Sequence, residues 1–299
     1  MNELKLGIIG LSEGNGHPYS WSAIFNGYDP EAMKNCPFPV IPEYLSRQKF
    51  PDDAISGAVV THVWTQETEI SRDIAAASLV ENVVDDYTEM IGRVDAILLA
   101  RDDAEHHFKM AAPFLAAGMP IYIDKPLATS VAEAEKIFSA RRYNGQIFTC
   151  SALAYADEFR PSAESLAELG PLRQISASVM KDWGKYGVHV IEPVLKIVGE
   201  QGRIERVEAR HADGVRTVRV RWASGLEAVF AAGGHDPGPP RITLTGESAQ
   251  RQLIFSDTYA AFKNALQTFV SIVRRQEPPV DREFVMRVVR IIEGGKHAR

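Results

Sequence analysis

The stretch that decides the fold is Val94–Phe138, "VDAILLARDDAEHHFKMAAPFLAAGMPIYIDKPLATSVAEAEKIF". Val94–Ala100 is a short run, apolar but for Asp95, which reads as a strand buried on both faces. Asp103–Gly118 carries a helical pattern that stops at a glycine. Pro120–Asp124 is a second buried strand. A second helix follows, with Ser130 as its N-cap and Gly145 beyond its end. Strand–helix–strand–helix with buried strands predicts a parallel, doubly wound α/β sheet. Right-handed crossovers place the C-terminal ends of all its strands on one rim, where ligands bind.

Working outward toward the N-terminus, the same alternation continues. Lys5–Gly10, Ala58–Thr65 and Glu81–Asp86 read as strands; Pro18–Asn26, Ser71–Ser78 and the turn Thr88–Ile91 read as helical. Between them Tyr28–Gly57 holds five prolines. Connections in α/β units usually take about 2–6 residues, so this stretch reads as an irregular insertion. Ile147–Ala152 closes the domain, and the expected boundaries are 1–150 and 151–299. After it the period changes. Stretches 172–183, 204–213, 215–224, 226–234 and 241–247 alternate apolar and polar residues, which predicts an antiparallel or mixed sheet with one open face. A helix over Gly187–Val198 interrupts them, and Tyr259–Arg275 and Arg282–Glu293 close the chain. The fold class is therefore α/β, a Rossmann-type parallel sheet followed by an α+β domain.

Composition narrows the function. The 299 residues carry a net charge of -6 with no basic block, which argues against nucleic acid or an anionic membrane as partner. Two cysteines without CxxC spacing fit a reducing compartment. No signal peptide or transmembrane run is read at the start, so the expected location is cytoplasmic. His17, His62, His106 and His107 lack metal-ligand spacing with carboxylates; no metal is expected, and His62 reads as a strand residue.

The opening "GIIGLSEGNGHPYSW" has the logic of a dinucleotide turn. Gly10 bends the chain after the first strand, Ser12 stands where a second glycine is usual, and Gly14 and Gly16 offer close backbone approach. An ordinary glycine-rich loop has the same look. Thr65 and Gln66, at the end of the second strand, are placed to meet a ribose, and no carboxylate there selects NAD over NADP. In "IDKPLA", Pro126 fixes the backbone after Lys125 and holds that lysine at the ligand rim. A lysine there can donate to a substrate hydroxyl or a developing oxyanion, or can simply snorkel from a strand end.

Together "VDAILLARDDAEHH", "AAGMPIYIDKPLATSVAEAEKIF", "YGVHVIEPVLKIVG" and the closing "FKNALQTFVSIVRRQEPPVDREFVMRVVRIIEGG" resemble the glucose–fructose oxidoreductase / inositol dehydrogenase / MocA family. Asp124-Lys125-Pro126 matches its Glu-Lys-Pro motif with Asp for Glu. Ala100-Arg101-Asp102 stands where the family has Ala-Thr-Pro, and either His106 or His107 takes the family histidine's place. Gly187 and His189 match the Asp-x-Gly-x-His helix start, with Lys185 in place of the aspartate.

The resemblance implies NAD or NADP as cofactor and a sugar, polyol or sugar acid as substrate. It implies a homodimer or homotetramer, built on the open face of the second sheet. It makes Lys125 and His189 the catalytic pair, electrostatic donor and acid/base. Gly10, Ser12, Gly14, Gly16, Thr65, Arg101, His106, His107, Lys125 and Pro126 are then expected at the cofactor. His17, Tyr155, Asp182, Trp183, Lys185 and Tyr186 join Lys125 and His189 at the substrate, the aromatic rings as stacking surfaces. Arg101 and Asp102 are expected to pair with each other or reach ligand. Two rivals stand beside this reading: an NAD-using isomerase or glycosidase with no net redox change, and a catalytically silent ligand sensor.

Overall fold

The structure, a computed structural model, describes residues 3–234 and 238–296. It divides into two compact units: Met1–Leu127, Glu135–Thr149 and Leu266–Val280 form the first, and Ala128–Ala134, Cys150–Ala265 and Asp281–Arg299 the second.

The first unit is built on a six-stranded sheet. Its strands are β1 (Leu4–Ile9), β2 (Ala58–Trp64), β3 (Asn82–Val83), β4 (Ala96–Leu99), β5 (Ile121–Ile123) and β6 (Ile147–Phe148). Every pairing is parallel, in the order β3-β2-β1-β4-β5-β6. This is the doubly wound sheet expected from the alternation, with β1 and β4 adjacent at its centre. β4 and β5 are wholly buried, which explains their unbroken apolar runs. Helices His17–Asn26, Thr68–Ala77 and His107–Ala117 supply crossovers. The last of these stops at Gly118, whose φ of 78° is the left-handed cap that glycine adopts without Cβ strain. Rings add to the core: Trp21 stacks on Tyr122, which packs edge-on against Phe148.

Several boundaries differ from the sequence pattern. β3 and β6 have two residues each, shorter than their apolar runs. The helix after β5 spans Val131–Ser139 and stops well before Gly145. Ser130 does cap it: its hydroxyl accepts the Glu133 amide and donates to the Glu133 carboxylate. The proline-rich insertion is not irregular throughout. It folds into two short helices, Pro30–Met33, capped by Asp29, and Val40–Leu45. Met33, Ile41, Tyr44 and Leu45 are buried, so the insertion is a packed part of the unit.

The second unit carries a mixed sheet of β7 (Leu172–Val179), β8 (Ile204–Ala212), β9 (Val215–Trp222), β10 (Glu227–Gly233), β11 (Arg241–Gly246) and β12 (Gln250–Ile254), in the order β12-β11-β7-β10-β9-β8. Only β7 and β10 run parallel. β12 was absent from the expected strands; its half-exposed alternation is a weak edge-strand signal. One face is apolar, with Ile175, Val220, Phe230 and Leu244 packed in one core with Ile191 and Val194 of helix Val188–Val198 and Ile292 of helix Arg282–Lys296. The other is polar: Glu227 receives Arg219 at 3.4 Å and Arg221 at 3.8 Å. This is the open face the alternation predicts. Among the described residues no helix is long and apolar enough to cross a membrane.

Candidate active site

In the first unit, the C-terminal ends of β1, β4 and β5 bring three sequence motifs into contact. Gly10 and the loop after it follow β1, Arg101–Asp103 follow β4, and Asp124–Lys125 follow β5. Gly10 is required by packing as well as by the bend. A Cβ there would lie 2.2 Å from Pro18 Cγ, so the strand end could no longer sit against the first turn of helix His17–Asn26. A Cβ on Gly16 would strike Phe38 and Ile41 of the insertion, at 2.6 and 2.5 Å. Gly14 has φ +75° and open space around it.

The loop is latched to the sheet by buried polar groups. The Ser12 hydroxyl donates to Asp102 Oδ1 at 2.8 Å and accepts the Asp102 amide at 3.1 Å. Lys125 Nζ lies 3.4 Å from the other oxygen of Asp102. Asn15 donates to Asp124 Oδ2 at 2.9 Å, and His17 Nδ1 lies 2.6 Å from the same oxygen. Asp124 Oδ1 accepts the Lys125 amide. Burial pushes the Asp124 carboxyl up, but His17 and Lys125 beside it hold it below its ordinary value. From β2, Gln66 closes the loop with two hydrogen bonds to the Leu11 backbone, 2.9 and 2.7 Å.

Several expected partners differ. Arg101 does not pair with Asp102. It grips Asp103 through both ends of its guanidinium, while Asp102 belongs to Ser12 and Lys125. His106 and His107 separate cleanly: His106 is half-exposed, 3.0 Å from Asp103, whereas His107 is fully buried with its two ring nitrogens on the carbonyls of Leu127 and Arg101. His107 thus ties the end of β4 to the Lys125-Pro126-Leu127 segment. The Thr65 hydroxyl is engaged by Ser71 and the Glu67 carbonyl, and Gln66 by Leu11, so both side chains serve the local fold. Asp103, Glu105 and His106 bring ligand-type atoms within 4.8 Å of one another, a cluster the spacing did not reveal. Arg101 already binds both oxygens of Asp103 there.

The loop suits a dinucleotide pyrophosphate. Glu13 and Gly14 are exposed, and their backbone N–H groups donate to no protein acceptor among the described residues. Such amides in a glycine turn before a helix form an anion cradle. The two carboxylates behind the turn are offset by Lys125, by His17 and by hydrogen bonds.

The second unit holds the other motif. His189, in the first turn of helix Val188–Val198, has Nδ1 2.8 Å from the Ser151 hydroxyl. One turn on, Glu192 accepts the Ser151 amide at 2.6 Å. Burial pushes the Glu192 carboxyl up to about 7, against the opposing pull of Lys196 and that amide. Neither Ser151 nor Glu192 was singled out from the sequence. The i, i+3 placement of Glu192 relative to His189 was the available signal on the helix side.

Asp182 caps the short helix Trp183–Tyr186 by accepting the Lys185 amide. Trp183 is 4% exposed and donates its indole N–H to the Ile292 carbonyl, so its ring is part of the core rather than an open stacking platform. Tyr186 lies beside His189, with ring centroids 5.6 Å apart. Lys181 donates to the Tyr186 hydroxyl. Tyr155 lines a cavity of about 340 Å³ with Arg160 and Lys196, whose Nζ stands 3.5 Å from the ring centroid.

Comparison with known proteins agrees with this geometry. Residues 43–151 match the model of an oxidoreductase family with an NAD-binding Rossmann fold, GFO_IDH_MocA. No curated protein matches the chain by sequence. Among solved structures, the chain is similar to apo scyllo-inositol dehydrogenase from Lactobacillus casei, with TM-score 0.72 at 12% identity over 99% of this chain and 96% of that one. It is similar to myo-inositol 2-dehydrogenase from Lactobacillus plantarum, with TM-score 0.72 at 15% identity over 98% and 96%. GenD2 from gentamicin A biosynthesis, in complex with NAD, gives 0.71 at 14% identity over 98% and 93%. At these identities the structures establish a shared fold. The matched span contains Arg101, Asp102, both adjacent histidines and Asp124-Lys125-Pro126. The likeness to the NAD-binding Rossmann oxidoreductase family GFO_IDH_MocA is thus carried by residues 43–151.

Proposed function

We propose that the protein is an NAD- or NADP-dependent dehydrogenase that interconverts a hydroxyl and a keto group on a sugar, polyol or sugar acid. The observation that carries this reading is Lys125. It follows β5 on a stretch that resembles the family's motif, in the same buried cluster as a glycine turn whose Glu13 and Gly14 amides donate to no protein acceptor among the described residues. The bound nicotinamide would accept or supply hydride. Gly10, Ser12, Gly14 and Gly16 form the turn that would hold its pyrophosphate, and Arg101, His106, His107 and Pro126 shape the adjoining rim. Lys125 offers an ammonium to the substrate oxygen, where negative charge grows as the proton leaves. The proton passes to an imidazole, and the family motif marks His189.

Lys185, where the family has aspartate, reverses a charge near that histidine and favours an acidic substrate. Lys185→Asp with unchanged preference between sugar acids and neutral polyols would remove that part of the reading. A homo-oligomer through the open face of the second sheet belongs to the same proposal.

The test is a fluorescence titration with NADH and NADPH, followed by an absorbance screen across sugars, polyols including myo- and scyllo-inositol, and sugar acids. Saturable binding and turnover are expected. A silent sensor is the second reading, favoured by the contact of Lys125 with Asp102. It would bind cofactor, turn nothing over and lose no binding in Lys125→Ala.

A further inference from the structure

One residue of the second unit is held twice by the same helix. Ser151 is fully buried. Its backbone N–H donates to Glu192 Oε2 at 2.6 Å, and its hydroxyl stands 2.8 Å from His189 Nδ1. His189 and Glu192 are three residues apart on helix Val188–Val198, so they share a face and reach Ser151 from consecutive turns. The hydroxyl also accepts the Leu153 amide at 3.2 Å, which caps the short turn Ala152–Tyr155. A hydroxyl has one hydrogen and two lone pairs. With one lone pair on the Leu153 amide, it can still accept from Nδ1–H or donate to a bare Nδ1, and so serves the ring in either charge state. A ring held at Nδ1 has its plane, and with it the direction of Nε2, set by that contact.

A turn cap needs only the Leu153 contact. The Glu192 contact goes beyond it. Glu192 is 5% exposed, and burying a carboxyl costs free energy that an apolar side chain at the same place would not. What the carboxyl supplies is an acceptor for the buried Ser151 N–H. Ser151 is thereby pinned at its backbone by one turn of the helix and presented to the imidazole on the turn before.

We infer that Ser151 is a positioning residue for the acid/base histidine, and that Glu192 holds Ser151 in place for it. The inference rests on the reading of His189 given under the proposed function. Ser151 takes no proton from substrate; it sets which way the imidazole points. The ionisable groups near the pair include Tyr186, whose ring centroid is 5.6 Å from that of His189, and Lys181, which donates to the Tyr186 hydroxyl. They also include Lys196, whose charge acts on Glu192.

The test is a double-mutant cycle on the full chain with NAD or NADP and the best substrate of the screen. Ser151→Ala is expected to lower kcat by about 10–100-fold while KM and the affinity for reduced cofactor stay within about twofold. Added to His189→Gln, the same substitution is expected to lower kcat by less than about twofold more, because its effect runs through the imidazole. Nitrogen NMR is expected to show a hydrogen-bonded Nδ1 on His189 in the wild type and a shift of the ring resonances in Ser151→Ala. Glu192→Gln, whose side-chain carbonyl still accepts the Ser151 N–H, is expected to keep at least about fivefold more kcat than Glu192→Ala.

A Ser151→Ala enzyme with kcat within about threefold of wild type overturns the inference and leaves the dehydrogenase reading standing. So does a loss of the same size in the His189→Gln background, which marks a role in the fold alone. If Ser151→Ala does not fold, equal kcat in the two Glu192 variants, or a wild-type Nδ1 without a hydrogen-bonded shift, overturns the inference. A His189→Gln enzyme as active as wild type removes His189 as acid/base and the inference with it. Absence of NADH and NADPH binding, or of any turnover by the wild type, defeats the dehydrogenase reading itself, and the inference falls with it.

Discussion

The two histidine-bearing clusters differ in what stands behind the ring. In the first unit His17 leans on Asp124, an ionised carboxylate kept below its ordinary pKa by its neighbours. In the second, His189 leans on the Ser151 hydroxyl, and the carboxyl behind that serine, Glu192, is pushed up to about 7. Both carboxyls are buried. Lys125 and the His17 ring beside Asp124 keep it charged, whereas Glu192 has one lysine and one amide against full burial and drifts toward the neutral acid. Burial alone does not decide protonation; the neighbouring charges do.

The largest expected effect comes from breaking the first cluster at Lys125. Lys125→Met leaves Asp102 buried without its cation, which is expected to lower unfolding stability by about 3–5 kcal/mol and to abolish turnover. Adding Asp102→Asn is expected to restore much of the stability, read by denaturant unfolding, but none of the turnover. Recovery of turnover in the double variant would show that Lys125 serves only the fold.

Glu192 sharpens the contrast. Its carboxyl holds its proton more tightly in the folded state than unfolded. Between its ordinary value of 4.5 and its folded value of about 7, the folded state binds more protons, so stability falls as pH rises. Over that window the loss is about 3 kcal/mol. Glu192→Gln is expected to flatten this slope, measured as Tm against pH. Asp124 has the opposite sign: its contribution is present at neutral pH and lost as pH falls through its depressed folded value. A Glu192→Gln enzyme with the wild-type slope would contradict the assignment.

The loop gives the smaller effects. Gly10→Ala forces a methyl onto Pro18 and is expected to cost about 1–3 kcal/mol. Ser12→Ala, which unlatches Asp102, is expected to cost about the same. Gly14→Ala meets no atoms and pays only for its positive φ, about 1–2 kcal/mol.

The parallel sheet was legible because its central strands are unbroken apolar runs between helices. The second sheet was legible because its alternation records one buried face. The two-residue strands β3 and β6 were overestimated, since apolar residues continue past the last paired one. The insertion was misread because five prolines suggest irregular chain, whereas Pro30 and Pro39 stand at helix starts, where a missing N–H costs nothing. In the site, Lys125 was visible from its motif, and the family match includes it but begins only at residue 43, beyond the glycine loop. The roles of Asn15, Asp102 and Asp124 were hidden because their hydrogen bonds span 90 to 109 residues of sequence. The pairing of Arg101 with Asp103 rather than Asp102 was not legible because neighbouring residues are indistinguishable by spacing alone.

The most direct test of the central claim is a single-turnover absorbance measurement of reduced nicotinamide, with wild type and Lys125→Met presented with oxidised cofactor and the sugar and polyol panel. Reduced cofactor should form in the wild type with at least one panel member and not in Lys125→Met. Failure of the wild type with every member, or equal rates in the two proteins, would contradict the account.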